Sequence, residues 1–93
     1  MKDFLEELKQ ERYQLKEKEI EIYEKVLLIC LNQIRFVNSS GRTNCSFDIP
    51  FIVAGYPLFD IAACGLYITK KLKRKSLKAT FVAPKAIIIS WNV

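Results

Sequence analysis

The chain has 93 residues, 51% of them hydrophobic and 27% charged, with a formal net charge of +5 and no histidine. This length allows one domain with a small core, because a chain of this size buries only about 60% of its unfolded surface. Without histidine, Ser-His-Asp and Cys-His catalytic arrangements cannot form, and three cysteines without a Cys-x-x-Cys spacing argue against a zinc site, so we expect neither an enzyme nor a metal or other cofactor.

Residues 2–37 contain neither glycine nor proline and are rich in Glu, Lys, Leu and Gln, which predicts one long helix. The helix begins in a charged segment rather than an apolar signal core, so we expect a protein that is not secreted. Its apolar residues form two stripes with a seven-residue repeat, about 140–160° apart around the helix. The first stripe is Leu8, Leu15, Ile22, Ile29 and Phe36 with Val26, and the second is Tyr13, Ile20, Leu27 and Ile34 with Tyr23 and Cys30.

A helix with two apolar stripes needs two partners. One stripe can pack on the chain's own sheet, and the other most simply packs on a second copy as a short coiled coil. We therefore predict a homodimer, and the alternative is a solvated helix that extends from a monomer. The residues predicted to make the self-association contact are Leu8, Leu15, Ile22, Val26 and Ile29.

Residues 38–44 are rich in turn-forming side chains and predict a loop. The following segment, 45–54, alternates as a strand does, with one side formed by Phe47, Ile49, Phe51 and Val53. Pro50 cannot donate a ladder hydrogen bond, so we expect this strand at an edge of the sheet.

A second, amphipathic helix is predicted over about residues 58–74 from apolar side chains spaced at three and four. Gly55 permits an unusual backbone angle before it, and Pro57 suits a first helical turn. Asp60 would lie near the helix N-terminus, where a carboxylate is favoured. Cys64 falls on the apolar face, and we interpret it, like the other cysteines, as a small core residue in a reducing compartment.

Six bases at the end of this helix form what we call the basic cluster: Lys70, Lys71, Lys73, Arg74, Lys75 and Lys78. Cations offset the negative end of a helix dipole, but that effect fades within a turn and would account for two or three of them. Residues 26–93 otherwise carry few acids, since only Asp48 and Asp60 oppose their nine bases. Two interpretations stay open: a solvated helix end, or a contact with nucleic-acid phosphates or another anionic surface.

The apolar run over residues 49–69 reaches the roughly 20 residues that a membrane-spanning helix needs, and lysines follow it as at a cytoplasmic flank. However, Pro50, Gly55 and Pro57 interrupt the run, and Asp60 would lie near the bilayer centre at a cost of a few kcal/mol. We therefore prefer a strand, a turn and a helix, and a single membrane span over about 49–69 is the alternative.

The two last segments, 77–83 and 86–91, alternate as strands and are joined at Pro84-Lys85, which predicts a hairpin. Trp91 is interpreted as the core anchor of that hairpin. The most apolar strand, 86–91, should lie between the two other strands and antiparallel to both. The predicted fold class is α+β, a long N-terminal amphipathic helix followed by a β-α-β-β unit with a small three-stranded mixed sheet. Residues 1–93 then form a single domain, with the helix in 1–37 and the β-α-β-β unit in 45–93.

The order of residues in the C-terminal unit resembles a family of short uncharacterised proteins of large nucleocytoplasmic DNA viruses. The resemblance covers about residues 20–91 and departs from the family at Lys75-Ser76-Leu77, where Asn-Gly-Phe is frequent, and at Lys85, where Asn is usual. The matching positions are Gly55, Pro57, Leu58, Phe59, Asp60, Cys64, Tyr67, Ile68, Leu72, Pro84, Ile89, Ser90 and Trp91. The resemblance implies a viral origin and a fold but no activity.

These observations together predict a small, non-enzymatic viral interaction or structural protein that self-associates through its N-terminal helix. The expected place is the virion or the virus factory in the host cytoplasm, and the expected partners are a second copy and a viral protein. The alternative function is a basic nucleic-acid-binding module that uses the basic cluster. A membrane is not expected as a partner, although the single-pass span remains as the third interpretation.

Overall fold

The computed structural model describes residues 4–91, and the side chains of all of these except residues 11–16. The chain forms five elements, in the order α1 (Phe4–Ser39), β1 (Asn44–Asp48), α2 (Ile61–Arg74), β2 (Lys78–Val82) and β3 (Ala86–Ser90). This confirms the α+β class, with a long N-terminal helix followed by a β-α-β-β unit.

The three strands form one sheet with β3 in its centre, antiparallel to β1 and to β2. The predicted strand order is therefore confirmed, and the predicted edge strand, β1, lies at an edge. Because both neighbouring pairs are antiparallel, the sheet is antiparallel rather than mixed. β1 and β2 do run in the same direction, but β3 separates them.

Both helices pack on one face of the sheet. The register aligns Phe47, Ile87 and Phe81 in one row and Cys45, Ile89 and Ala79 in the next. Most side chains of these rows are buried, whereas the alternate positions on all three strands are more exposed. The helices complete the core with Ile22, Tyr23, Val26, Leu27, Cys30, Ile34, Cys64, Ile68 and Leu72, joined by Ile49, Val53 and Trp91.

The segment between β1 and α2 differs from the prediction. The strand ends at Asp48 instead of continuing to residue 54, because Pro50 cannot extend the ladder, and Phe51 and Ile52 are 57% and 73% exposed. Beyond the strand, the N–H of Ile49 donates a hydrogen bond to the carbonyl oxygen of Lys85, the residue before β3, at 2.9 Å. Gly55 adopts a left-handed backbone with φ of +86°, as its position in the turn predicted.

The second helix begins at Ile61, three residues later than predicted. Asp60 caps it, since one carboxylate oxygen accepts a hydrogen bond from the N–H of Ala63 at 3.1 Å. Pro57 and Leu58 therefore lie in the preceding loop, and Leu58 is 79% exposed.

The interpretation of 49–69 as a single membrane span is wrong, because residues 49–60 are not helical. Within residues 4–91, no helix combines the length and the apolar character that crossing a membrane requires.

The first helix is longer than the rest of the molecule is wide. Its 36 residues correspond to about 54 Å, and the molecule measures 62 × 25 × 21 Å. Core contacts of α1 begin at Ile22, so the segment before it, residues 4–21, extends past the sheet and α2. We call residues 4–21 the arm and the remainder of the chain the body.

Candidate functional site

Three apolar residues on the arm, Phe4, Leu5 and Leu8, are 72%, 66% and 40% exposed. Eighteen residues further along, the same three positions on the helix surface are occupied by core residues, since eighteen residues make five turns of 3.6. Those core residues are Ile22, Tyr23 and Val26. The face of α1 that packs in the body is therefore apolar again at the N-terminal end of the arm, where nothing in the described part of the chain covers it. Further along the arm, Lys9 takes the position that corresponds to the buried Leu27.

Two of the five residues predicted for self-association are not available for it. Ile22 and Val26 are 1% and 0% exposed in the chain's own core, which corrects their assignment to a contact with a second copy. Leu8 and Ile29 are 40% and 41% exposed, as that contact needs, and the side chain of Leu15 lies outside the described residues.

The physical reason is that a seven-residue repeat drifts about 20° per heptad around a straight helix, so one stripe does not keep one direction. The body buries a single broad face that takes residues from both predicted stripes. From the first stripe these are Ile22 and Val26, and from the second they are Tyr23, Leu27, Cys30 and Ile34.

The basic cluster does not form one surface. Its α2 residues lie on the helix, which packs on the core face of the sheet through contacts such as the one between Gly65 and Phe81. Lys78 starts β2, and its neighbour Ala79 is buried towards α2, so the Lys78 side chain points to the other face of the sheet. Lys70, Lys73, Arg74 and Lys75 are all exposed.

Lys71 is the exception, because it turns towards α1. Its Nζ lies 3.7 Å from a carboxylate oxygen of Glu24 and 5.4 Å from the centre of the Tyr67 ring. Tyr67 donates a hydrogen bond from its hydroxyl to the same Glu24 oxygen at 2.5 Å. Desolvation, followed by the hydrogen bond to Glu24 and the charge of Glu24, raises the pKa of Tyr67 to about 12. Lys71 therefore belongs to a contact between the two helices.

A small pocket lies where the end of α2 meets the start of β2. Its volume is about 120 Å³, and it is lined by Ser76, Lys78, Ser90 and Trp91. Ser76 adopts a left-handed backbone with φ of 68°, a conformation that glycine adopts most readily. This turn brings Lys75 and Ser76 next to the strand that carries Lys78.

Trp91 is 8% exposed and anchors the end of the sheet, as predicted. Its indole Nε1–H donates to Oδ1 of Asn38 at 2.9 Å, and its backbone N–H donates to the carbonyl oxygen of Thr43 at 2.9 Å. These bonds tie β3 to the end of α1 and to the loop that follows it. That loop carries the exposed Arg42 beside β1.

The cysteines confirm the prediction that they are core residues. Cys30 and Cys64 are both 0% exposed, and burial raises the pKa of each thiol to about 12. Cys45 is partly buried, and desolvation raises its pKa as well. Among the side chains that the structure describes, no three of His, Cys, Asp or Glu come together as metal ligands would.

Sequence reasoning missed three polar residues that line a second, separate groove at the β1 edge of the sheet: Arg42, Asn44 and Ser46. The alternation of β1 contains the signal for Asn44 and Ser46, because they occupy the positions opposite to Cys45 and Phe47. Arg42 lies in an irregular loop, where no periodic pattern predicts the direction of its side chain. Only the fold places it beside the sheet.

Comparison with known proteins gives a family but no activity. The model of a family of unknown function, DUF5759, matches residues 5–73. Uncharacterized protein R447 of Acanthamoeba polyphaga mimivirus is 34% identical over 74 residues, a match that covers 75% of this chain. The chain spans about 60% of the length of that relative. No solved structure matches the chain.

The family match begins earlier and ends earlier than the resemblance seen in the sequence. It stops at residue 73, so the terminal Ile89-Ser90-Trp91 of that resemblance lies outside it. The match covers β1 and nearly all of α1 and α2. The chain therefore belongs to the family of unknown function DUF5759, and its similarity to a mimivirus protein supports an uncharacterised viral family.

Proposed function

We propose that this is a small, non-enzymatic interaction protein that forms a homodimer through the arm of α1. The observation that carries the proposal is the exposed apolar group Phe4, Leu5 and Leu8, which continues the buried face of the same helix. While these three side chains are exposed to water, they lack the hydrophobic stabilisation that the equivalent residues of the body obtain by being buried. A second arm offers an identical face and covers it without any other partner.

The position of the body favours an antiparallel pair. The body lies on the same side of α1 as the apolar face of the arm, because the two faces are related by whole helical turns. In a parallel pair, both bodies would compete for the same space beyond residue 21. In an antiparallel pair, each body lies past the N-terminal end of its partner's arm, and the two arms face each other.

The arm is short, and this sets the expected strength of the dimer. Eighteen residues span about 27 Å, and helices of this length are marginal on their own in water. We therefore expect a dimer that dissociates in the micromolar range rather than an obligate one. Ile29, at 41% exposure, lies beside the buried face and can extend the contact.

The experiment is sedimentation equilibrium of the wild type and a Leu5→Lys, Leu8→Lys double variant from micromolar to millimolar concentration. The wild type should dimerise and the variant should remain monomeric, because the two lysines of each arm would have to be buried in the interface. Ile22 is unsuitable for this test, since its replacement would unfold the body.

The matched control is a double lysine variant at Leu28 and Phe36, which are 49% and 72% exposed and lie on α1 beyond the arm. It adds the same charge to the same helix and should still dimerise. A wild type that is monomeric at millimolar concentration, or a control that dissociates as fully as the test variant, would contradict the proposal.

We place this role in the virion or the virus factory of the host cytoplasm, supported by the similarity to a mimivirus protein. The alternative to a second copy is a viral protein whose own apolar helix covers the Phe4–Leu8 face of the arm. It would leave the isolated chain monomeric, and its binding would still require Leu5 and Leu8.

A further inference from the structure

One face of the sheet carries no helix in the described part of the chain. Its first row joins Asn44, Ser90 and Lys78 across the three strands, and its second row joins Ser46, Ile88 and Thr80. All six are at least partly exposed, and Ile88, at 48%, is the large apolar one among them. The two rows thus contain four neutral polar side chains, one isoleucine in the central strand and one lysine at the β2 edge. We call these two rows the open face.

Cations stand at both edges of the open face. Lys78 lies in the first row at the β2 edge, and the adjoining turn carries the exposed Lys75. At the β1 edge, Arg42 lines a groove together with Asn44, Ser46 and Ile88. The pocket formed by Ser76, Lys78, Ser90 and Trp91 lies at the same end as Lys78. Donor groups therefore lie between positive charges.

The one acid on this side of the sheet among the described strand residues is Asp48, and it lies at the opposite end of β1. It is four residues from Asn44, which corresponds to about 13 Å along a strand. Asp48 aligns with Ala86 and Val82 in a row without hydroxyl or amide groups. This side of the sheet is therefore polarised, with its positive end at Arg42 and Lys78.

We infer that the positive end of the open face binds the phosphate backbone of nucleic acid. Arginine and lysine at the edges supply charge, and the hydroxyl and amide groups between them supply hydrogen-bond donors, the side-chain types that contact phosphate and sugar oxygens. The two rows contain no aromatic side chain, so base stacking does not contribute. The binding is therefore independent of base sequence and strongly dependent on salt.

The chemistry of this face fits nucleic acid better than a lipid surface. A membrane-binding surface presents several large apolar side chains beside its cations. Here Ile88 is the one large apolar side chain of the two rows, and the exposed Val82 lies in the third row, away from Arg42 and Lys78. The inference also separates the residues of the basic cluster. Lys78 belongs to the site, whereas Lys75 caps the end of α2. Lys70 and Lys73 lie on the exposed side of α2, and Lys71 is engaged with Glu24.

The site is independent of the proposed dimer, because the arm contributes none of its residues. A monomeric variant with both Leu5 and Leu8 changed should still bind nucleic acid through one open face. Loss of dimerisation and loss of binding are thus separate outcomes.

The test uses labelled random-sequence single-stranded RNA, single-stranded DNA and duplex DNA, titrated with the full chain by fluorescence anisotropy. Wild-type binding should weaken steeply between about 50 and 200 mM salt. An Arg42→Gln, Lys78→Gln variant should bind single strands at least about tenfold more weakly at low salt, and lose about 1.4 units of slope in log affinity against log salt. Backbone amide shifts of Asn44, Ser46, Ile88 and Ser90 in the wild type should respond to the single strand.

The matched control is a Lys70→Gln, Lys73→Gln variant, which loses the same charge from the opposite side of the sheet. It should keep most of the affinity and slope, and circular dichroism should show both variants folded. Equal loss in the two variants would overturn the site, because it would show an effect of net charge alone. Vesicles of anionic phospholipid are titrated as a further probe. Binding of these vesicles but of no nucleic acid, or no binding of any probe at low salt, would overturn the inference as well.

Discussion

At the scale of single residues, Gly65 determines how closely α2 approaches the sheet. A Cβ atom at this position would overlap the ring of Phe81 and lie 3.2 Å from Cδ1 of Ile49. Glycine is otherwise a poor helix residue, by about 1 kcal/mol relative to alanine. Its presence in the middle of α2 is therefore explained by this close approach to β2.

The first prediction concerns this contact. Gly65→Ala should lower the free energy of unfolding by about 1–3 kcal/mol, because overpacking of the core outweighs the gain in helix propensity. Urea unfolding followed by circular dichroism measures the difference. A smaller side chain at position 81 gives the alanine room. In a Phe81→Leu background, Gly65→Ala should therefore lower the free energy of unfolding by less than it does in the wild type. An alanine variant as stable as the wild type would show that α2 does not lie this close to Phe81.

At the scale of elements, α1 and α2 are joined at the surface by a polar contact above the core. A carboxylate oxygen of Glu24 accepts a hydrogen bond from the Tyr67 hydroxyl and lies 3.7 Å from Nζ of Lys71. The Tyr23 and Tyr67 rings pack beside it, with their centres 5.4 Å apart. Because Lys71 is used here, the contact also explains why this lysine is not part of an open charged surface.

The second prediction is a pH dependence that comes from this contact. The pKa of Tyr67 is raised from 10.0 to about 12 by desolvation and then by Glu24, so the folded state favours the neutral phenol. This contribution to stability is complete below pH 10, the pKa of the unfolded chain, and it is lost as the pH rises through about 12. The free energy of unfolding should therefore fall over this interval.

A Glu24→Gln variant provides the comparison, since it removes the carboxylate that faces the phenol. Tyrosinate absorbance should show one tyrosine titrating at lower pH in the variant than in the wild type. Identical titration curves would mean that Glu24 does not influence Tyr67.

At the scale of the whole molecule, the shape follows from α1, which is far longer than the body that covers it. The longest dimension is 62 Å against 25 and 21 Å in the other two directions. A monomer of this shape exposes the apolar face of the arm to solvent. The proposed antiparallel dimer removes that exposure and leaves the two open faces on separate bodies.

The third prediction is the size of that dimer. Two molecules of 62 Å that overlap along an arm of about 27 Å should have a maximum dimension of about 95 Å. Small-angle X-ray scattering at a concentration where sedimentation shows a dimer measures it. A dimer with a maximum dimension close to that of the monomer would indicate parallel arms and contradict the proposed arrangement.

The sequence by itself determined the kinds of element and the order of the strands. Long runs without glycine or proline predict α1, and the apolar content of 86–91 places β3 in the centre, because a central strand is the most buried one. Pro50 at a strand end and Asp60 before a helix act through neighbours a few residues away. Such local effects can be recognised without the tertiary structure.

The tertiary structure alone decided which surfaces are free. The two apolar stripes of α1 look equivalent in the sequence, but one sheet can cover only one broad face, and that face takes Ile22 from one stripe and Cys30 from the other. The bases of residues 70–78 are close in sequence, but the turn at Ser76 sends Lys78 to the face of the sheet opposite to α2. Burial and direction depend on contacts between distant segments, and the sequence pattern contains only the spacing within each segment.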